Sequence, residues 1–386
     1  MAVSELSTIG IDVTSAITQG GGIGRYTREL IRVLTALKSP YTFRFFSAKP
    51  PLELPVADPV PTGDHASYHP APLNERWLYR LWYRLRLPLP VQWSTGPLDL
   101  FHSPDFVLPP VSGHIPTLLT VHDLSFAHYP ELFPAPLIQY LNRVVPWSIS
   151  RATHVLADSQ ATKHDLITLW QVPADKITVL YCGVDTRFKP VTENKRLTAV
   201  RHKYDLGDKP FILNVGTIQP RKNYQMLIRA FQPVAETFPH NLIFAGGKGW
   251  LYDEMTAEVG RQGLNGRVHF IGFVDDNDLP ALYSAASLLT FPSFYEGFGL
   301  PLLEAMACGV PVISSNASSL PEVVGDSGLL LSPHDEAAWS AGLNELLADP
   351  LRRARMVADG FRQARQFTWV KVGQELLSLY QNLIQA

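Results

Sequence analysis

FPSFYEGFGLPLLEAMACGVP, residues 291–311, decides how this chain folds. An apolar run ends at Phe291. Glu296 then precedes the Gly297-Phe298-Gly299 loop, Pro301 suits the first turn of a helix, and Gly309 suits its stop. Another apolar run, Val310–Ser314, follows at once. This is a strand–loop–helix–strand unit, and it implies parallel strands joined by right-handed crossovers. The glycines let backbone N–H groups approach a ligand, and the helix start behind them favours an anion. Glu296 in the loop and Glu304 a turn into the helix suit the two ends of an extended, hydroxyl-rich ligand, because carboxylates accept from sugar hydroxyls. They also suit a plain helix N-terminus.

The same alternation runs outward in both directions. Apolar runs at 8–13, 43–46, 98–102, 117–122, 154–158 and 177–181 make a first set. A second set lies at 211–215, 242–245, 268–273, 287–291, 310–314 and 328–331. Their continuity is that of strands covered on both faces. Helical spacing separates them, as in residues 223–238, where Met226, Leu227, Ala230, Phe231 and Val234 share a stripe. The stretch 185–210 is charged, prolyl and poorly periodic. It divides the chain into residues 1–185, a linker at 186–205, residues 206–368 and a closing amphipathic helix at 369–386. The expected fold is α/β: two Rossmann-like, doubly wound domains facing across a cleft at the carboxyl ends of their strands, where such sheets bind ligands.

Length and composition agree. A chain of 386 residues exceeds one core and suits two or three domains. A net charge of −2 excludes a polyanion partner on global grounds, so no nucleic acid is expected. Two cysteines make no disulfide framework and suit a reducing compartment. Neither a membrane-spanning run nor a signal peptide is read, so a cytoplasmic location is expected. Charged residues are only 18%, against about 25% in ordinary domains. The 32 prolines are about 8% of the chain, against about 5% usually. They concentrate at 49–72 and 87–116, which should be loops or edges of the first domain.

Several pieces carry candidate chemistry. GTIQPRKN (216–223) follows a strand and offers Arg221 and Lys222, a planar fork and a mobile point charge suited to a diphosphate. Gly20–Tyr26 opens a helix but breaks the dinucleotide fingerprint at Arg25, which disfavours an NAD-dependent oxidoreductase. Arg25 is an anion contact or a surface residue. His122 ends a strand, and so does His102, which reads as structural. Asp123 caps the next turn or faces an acceptor. Residues 275–278, DDND, read as a helix cap and not as a metal motif. RWLYRLWYRLRL (76–87) puts Trp77, Leu78, Leu81, Trp82 and Leu85 on one helical arc and Arg76, Arg80 and Arg84 on the other. That pattern suits a helix packed on a sheet, the favoured reading, and also an anionic membrane surface.

Together these pieces resemble glycosyltransferase family 4, retaining enzymes of the GT-B architecture, over nearly the whole chain. Glu296 and Glu304 match the family's pair of acids separated by seven residues. GTIQPRKN, LIFAGGKG (242–249), FIGFVDDNDLPALYSAA (270–286) and SSLPEVVGDSGLL (318–330) follow in family order. GGIGRY (21–26), HSPDF (102–106), VHDLSF (121–126), ADSQATKHDL (157–166) and VLYCGVDTRFKP (179–190) are similar pieces in the first half. The resemblance implies a hexosyltransferase of polysaccharide biosynthesis, with a nucleotide sugar as substrate, no cofactor and no required metal. It implies catalytic roles for His122, Arg221, Lys222 and Glu296. It places the donor against Gly22, Gly24, Gly216, Thr217, Arg221, Lys222, Glu296, Gly297, Phe298, Gly299, Leu300 and Glu304, with Arg25 and Asp123 toward the acceptor. Many relatives carry an arginine where this chain has Thr217. Within the family the mannosyltransferase-like branch, using GDP-mannose, is the nearest match. UDP-glucose or another UDP-sugar is the second reading, and a non-catalytic nucleotide-sugar binder the third. The acceptor is a saccharide or lipid-linked saccharide. Peripheral contact with the inner face of the membrane, through 76–87, accompanies the cytoplasmic expectation.

Overall fold

A computed structural model describes residues 6–51, 60–249 and 252–386. The first five residues and part of the proline-rich stretch 49–72 lie outside the described residues. The chain forms two compact units. One runs to Gly183 and takes in Trp369–Ala386, and the other is Val184–Thr368.

The first unit holds β1 (Ser7–Asp12), β2 (Tyr41–Lys49), β3 (Ala66–Asn74), β4 (Leu100–Ser103), β5 (Thr117–Val121), β6 (His154–Ala157) and β7 (Ile177–Val179). They form a parallel sheet in the order β3-β2-β1-β4-β5-β6-β7. β4 and β5 are buried along their whole length, as strands covered on both faces must be. β3 was not among the expected strands. Pro70 and Pro72 break its pattern, and an edge strand tolerates them because one side of its backbone needs no ladder partner.

The helix Trp369–Gln385 belongs to this unit. Gly373 sits so close to the helix Gly22–Ala36 that an added Cβ would stand 2.7 Å from Leu37. Tyr380 is fully buried, and its hydroxyl lies 2.8 Å from His102 Nδ1, while His102 Nε2 lies 3.0 Å from Thr120 Oγ1. Burial pushes the His102 pKa down to about 3, so the ring is neutral and structural.

The second unit holds β8 (Phe211–Val215), β9 (Asn241–Ala245), β10 (Val268–Gly272), β11 (Leu288–Phe291), β12 (Val312–Ser315) and β13 (Leu329–Leu331). Its parallel order is β10-β9-β8-β11-β12-β13. All six were expected as apolar runs. Helix Tyr224–Thr237 buries Leu227, Phe231 and Val234 against this sheet, each such side chain contributing about 2 kcal/mol of transfer free energy. Val184 N–H donates to the Phe367 carbonyl at 3.0 Å and closes the two ends of the unit on each other.

The structure differs from the expected linker at 186–205. Helix Asn194–Lys203 occupies half of it and is part of the second unit. Lys203 and the Tyr204 hydroxyl both reach Asp278 Oδ2, at 2.6 and 2.7 Å. Only Val200 of that helix is buried, so there was no apolar stripe to read. Within 275–278 the capping residue is Asp275, whose Oδ1 accepts from Asn277 N–H at 2.9 Å and whose carbonyl accepts from Asp278 N–H, while Asp278 itself precedes helix Leu279–Ser284 without a side-chain capping bond.

The basic segment is also different from a single helix. Helix Glu75–Tyr79 passes into a π turn, Arg80–Arg84, in which Leu85 N–H bonds the carbonyl of Arg80 five residues back. The wider turn breaks the expected arc: Leu78, Trp82 and Tyr83 are buried, while Trp77 and Leu85 are exposed.

Replacing Tyr380 by Phe leaves a buried His102 nitrogen without its partner. Chemical denaturation is expected to show a loss of about 1–2 kcal/mol.

Candidate active site

In the second unit the strand order reverses between β8 and β11, and the loops after these two strands meet there. The β8 loop carries Gly216, Thr217 and the 3₁₀ turn Pro220–Lys222. It rests on the loop after β9 through Gly216 N–H to the Ala245 carbonyl (2.9 Å) and Ile218 N–H to that of Gly247 (3.0 Å). Gly246 must be glycine: its φ is +157°, and a Cβ would stand 2.0 Å from the Gly216 oxygen. Thr217 is exposed.

Glu296, in the loop after β11, is held between the two cations of the β8 loop. Its Oε2 accepts from Arg221 Nη1 at 2.8 Å, and its Oε1 accepts from Lys222 Nζ at 2.6 Å. Arg221 also donates to the Tyr295 carbonyl, and Phe294 N–H returns a bond of 3.0 Å to the carbonyl of Arg221. Lys222 stands 4.8 Å over the Phe291 ring. Burial would raise the Glu296 pKa, but Arg221, Lys222 and Ser293 outweigh it and bring it down to about 2. The group is therefore a fixed carboxylate at any physiological pH.

Two serines hold this loop from the segment after β12. Glu296 N–H donates to Ser318 Oγ at 2.8 Å, and Ser319 Oγ lies 2.9 Å from the carbonyls of Glu296 and Phe298. Asn223, with φ of +57°, donates its side-chain amide to the carbonyls of Pro292 (3.2 Å) and Pro333 (2.7 Å). Gly297, Phe298 and Gly299 are buried, Leu300 half-buried, and helix Leu300–Ala307 begins there with Pro301 in its first turn. Glu304 is buried inside that helix, and Tyr283 donates its hydroxyl to Oε2 at 2.7 Å.

In the first unit the candidates lie at the carboxyl ends of β1, β4, β5 and β6. His122 is buried. Its Nδ1 lies 2.7 Å from Asp158 Oδ2, and its Nε2 lies 3.2 Å from the Pro104 carbonyl. Tyr26 and Phe106 meet the ring edge-to-face at 5.0 and 5.5 Å. Burial opposes charge on the ring, but the Asp158 carboxylate, then Asp105 and the Pro104 carbonyl, raise its pKa to about 9. Burial also pushes the Asp158 carboxyl upward. The proton shared by the pair belongs on the ring, because two carboxylates and a carbonyl surround it. Asp123 Oδ1 accepts from Ser125 N–H (2.8 Å) and Oγ (2.6 Å), so it holds the next turn. Gly22 is exposed at the start of helix Gly22–Ala36. Gly24 is glycine for a packing reason, since a Cβ there would stand 1.9 Å from the Gln19 carbonyl oxygen. Arg25 is half-buried on the first turn.

Arg221, Lys222 and Glu296 thus come together, and Glu304 sits one helical turn on with Tyr283. Tyr283, Ser318, Ser319 and Asp158 were not singled out from the sequence, although all lie in quoted segments. Asp158 directly follows β6 just as His122 directly follows β5, a signal that points to it.

Residues 20–188 match the family model described as Glycosyltransferase Family 4, and residues 198–363 match Glycosyl transferases group 1. The chain is 34% identical over 374 residues to O-antigen chain mannosyltransferase B of Escherichia coli, covering 94% of this chain and 96% of that protein. It is 31% identical over 310 residues to a D-inositol 3-phosphate glycosyltransferase of Salinispora tropica, covering 74% of this chain and 64% of the relative. Among solved structures, sucrose-phosphate synthase from Thermosynechococcus elongatus superposes with a TM-score of 0.76 at 22% identity, over 98% of this chain and 99% of that one. That likeness is one of fold.

Two pH effects are expected. The depressed Glu296 pKa stabilises the second unit above the ordinary 4.5, and that contribution is lost as pH falls toward about 2. The raised His122 pKa stabilises the first unit fully below 6.5, and that contribution is lost as pH rises through about 9. Denaturation midpoints across pH should show both, with the alkaline loss absent in His122→Gln. Glu296→Ala leaves two buried cations without their carboxylate and should cost about 3–5 kcal/mol.

Proposed function

The chain belongs to glycosyltransferase family 4, and on that premise we propose that it moves mannose from GDP-mannose to a hydroxyl of a saccharide or lipid-linked saccharide, with retention of configuration. That it is a glycosyltransferase follows from the family. The mannosyl donor is supported by the 34% identity to an O-antigen chain mannosyltransferase over nearly both full lengths.

The observation that carries the chemistry is the Arg221–Glu296–Lys222 cluster at the reversal point of the second sheet. Two cations and one carboxylate leave one net positive charge, held rigidly before any donor arrives. As the bond from the sugar to its phosphate breaks, negative charge grows on the leaving diphosphate. Fixed donors aimed at that charge are each worth about 3–4 kcal/mol in comparable anion sites. No metal is called for in this scheme, because the two cations supply the positive charge.

Glu296 is a poor covalent nucleophile: a carboxylate with a pKa of about 2 and both oxygens engaged by cations has little basicity. Retention then proceeds without an enzyme carboxylate. A leaving phosphate oxygen takes the proton of the acceptor hydroxyl as it attacks from the same face, so the paired-acid geometry of glycosidases does not apply. Glu304 faces the ribose hydroxyls in this scheme, and Tyr283 orients it. His122 reaches the transferred sugar by exchanging the longer of its two bonds, the one from Nε2 to Pro104, for a sugar hydroxyl.

Thermal shift with GDP, UDP, ADP and dTDP tests the donor. At about 100 times its dissociation constant a nucleotide adds about 2.7 kcal/mol of stability, and GDP is expected to give the largest rise. A larger rise with UDP would replace GDP-mannose by a UDP-sugar. Arg221→Ala and Lys222→Ala should each lower transfer by at least about a hundredfold. Transfer should persist in chelator, and the product anomer, read by NMR, should match the donor. Slow release of free sugar from donor alone separates a transferase from a pure binder.

A further inference from the structure

The carboxyl edge of the first sheet carries a row of acids that the transfer scheme leaves unused. Glu75 directly follows β3, Asp12 ends β1, and Asp105 lies two residues past β4. All three are half-buried. Asp12 Oδ1 accepts from Thr14 N–H (2.9 Å) and Oγ1 (2.6 Å), and its Oδ2 has no protein partner among the described residues. Asp105 Oδ1 accepts from Phe106 N–H at 2.7 Å. Among the described residues no Lys or Arg pairs with any of the three, and the charged ring of His122 stands beside Asp105. Burial pushes all three carboxyls upward, Asp12 to about 7. Glu296 is the contrast: a buried acid matched by two cations, whose pKa falls to about 2. Shielded carboxyls with so few donors are costly, and they gain when hydroxyl donors arrive.

Three tyrosines border this row. The Tyr79 ring lies 5.3 Å from that of Tyr83 and 6.2 Å from that of Tyr140. Tyr83 is only 4% exposed, and its hydroxyl, like that of Tyr140, is buried without a hydrogen-bond partner. Burial raises the Tyr83 pKa, and the Tyr140 hydroxyl, Asp12 and Asp105 raise it further. Asp105 and Glu75 act in the same way on Tyr140. Both hydroxyls therefore lie near the acids without bonding to them, a cost that native chains seldom carry. A ligand that bonds both sets would remove it. The acids do not converge as metal ligands: among the described residues no group of three or more His, Cys, Asp or Glu could hold an ion.

Resting on the reading of the chain as a sugar transferase, we propose that Glu75, Asp12 and Asp105, with Tyr79, Tyr83 and Tyr140, form the acceptor subsite, and that the receiving end of the acceptor is a neutral saccharide. Carboxylates accept from neighbouring sugar hydroxyls. Tyrosine joins an apolar ring to a polar tip, which matches a pyranose with its C–H face and hydroxyl rim. A phosphorylated or acidic sugar would instead meet like charge along the row. Asp105 lies beside His122, which reaches the transferred sugar in the proposed scheme, so an acceptor along the row ends where the new bond forms. Asp123, expected on the acceptor side, is spent on Ser125. The row supplies the hydroxyl acceptors in its place.

Saturation-transfer NMR on the full chain, with and without GDP, tests it. The neutral probes are methyl α-mannoside, methyl α-glucoside and methyl α-N-acetylglucosaminide, and the anionic probes are the 6-phosphates of mannose and glucose. At least one neutral glycoside should give a signal, and neither phosphate should. Glu75→Gln, Tyr79→Phe and Tyr140→Phe should each weaken binding of that glycoside by about tenfold or more, the effect of one lost hydrogen bond to a charged or buried group. Tyr83→Phe and Tyr140→Phe remove a hydroxyl that has no partner in the free chain, so neither should lower the thermal midpoint. All four variants should keep the rise in midpoint with GDP, because the donor loops lie in the second unit. No signal from any neutral glycoside, equal signals from the phosphates, or undiminished binding by Tyr79→Phe and Tyr140→Phe would overturn the proposal. So would a lower midpoint in Tyr140→Phe, which would make that hydroxyl structural. Glycoside binding without any response to GDP would count against the mannosyl donor and leave the subsite standing.

Discussion

A carboxylate clasped by two cations organises the second unit. Glu296 lies 2.8 Å from Arg221 and 2.6 Å from Lys222, and all three are largely shielded from water. Burying three charges is costly unless each is matched and hydrogen-bonded, so this cluster dictates the placement of everything near it. The loop after β8 must bring both cations to one point, and the loop after β11 must present one acid between them. Strand order makes that possible: β8 and β11 are neighbours where the order reverses, so the loops that follow them meet at the carboxyl edge of the sheet.

The surrounding small residues serve the same constraint. Gly246 lets the β9 loop lie directly against the Gly216 carbonyl, which supports the β8 loop from behind. Ser318 and Ser319 tie the backbone on both sides of Glu296. A site held this way meets its ligand already arranged. That is the condition under which fixed charges stabilise a transition state without reorganising. The first unit has a parallel device in the His122–Asp158 pair, which keeps an imidazolium charged inside an aromatic collar of Tyr26 and Phe106.

The near-neutral charge of the whole chain conceals two concentrations of positive charge with opposite character. The pair at 221–222 is buried and neutralised in part by Glu296, which suits one small polyanion. Of the arginines at 76–86, Arg76, Arg84 and Arg86 are exposed and Arg80 is half-buried, and none pairs with a carboxylate among the described residues. Burial separates the two cases: a desolvated cation needs a fixed partner, whereas a hydrated one does not.

Much of this was legible beforehand. Twelve apolar runs became strands because burial on both faces demands unbroken Val, Ile, Leu and Phe, and that composition is local. Glu296, Glu304, Arg221 and Lys222 were legible because strand-end loops announce themselves by glycine and proline. Three things were not. β3 has no apolar run, since an edge strand needs none. The helix at 194–203 buries little beyond Val200 and is held by Tyr204 and Lys203 reaching a distant Asp278. The π turn at 80–84 moved Trp77 and Leu85 off the packed face, and no regular periodicity encodes such a shift. The sequence by itself determined the fold, the family and the chemical inventory of the site, because these depend on residue type and local spacing. Only the tertiary structure decided which charges pair, that both His122 nitrogens are occupied, and which tryptophans stay in water. Those outcomes depend on contacts between segments tens of residues apart, and no local pattern specifies them.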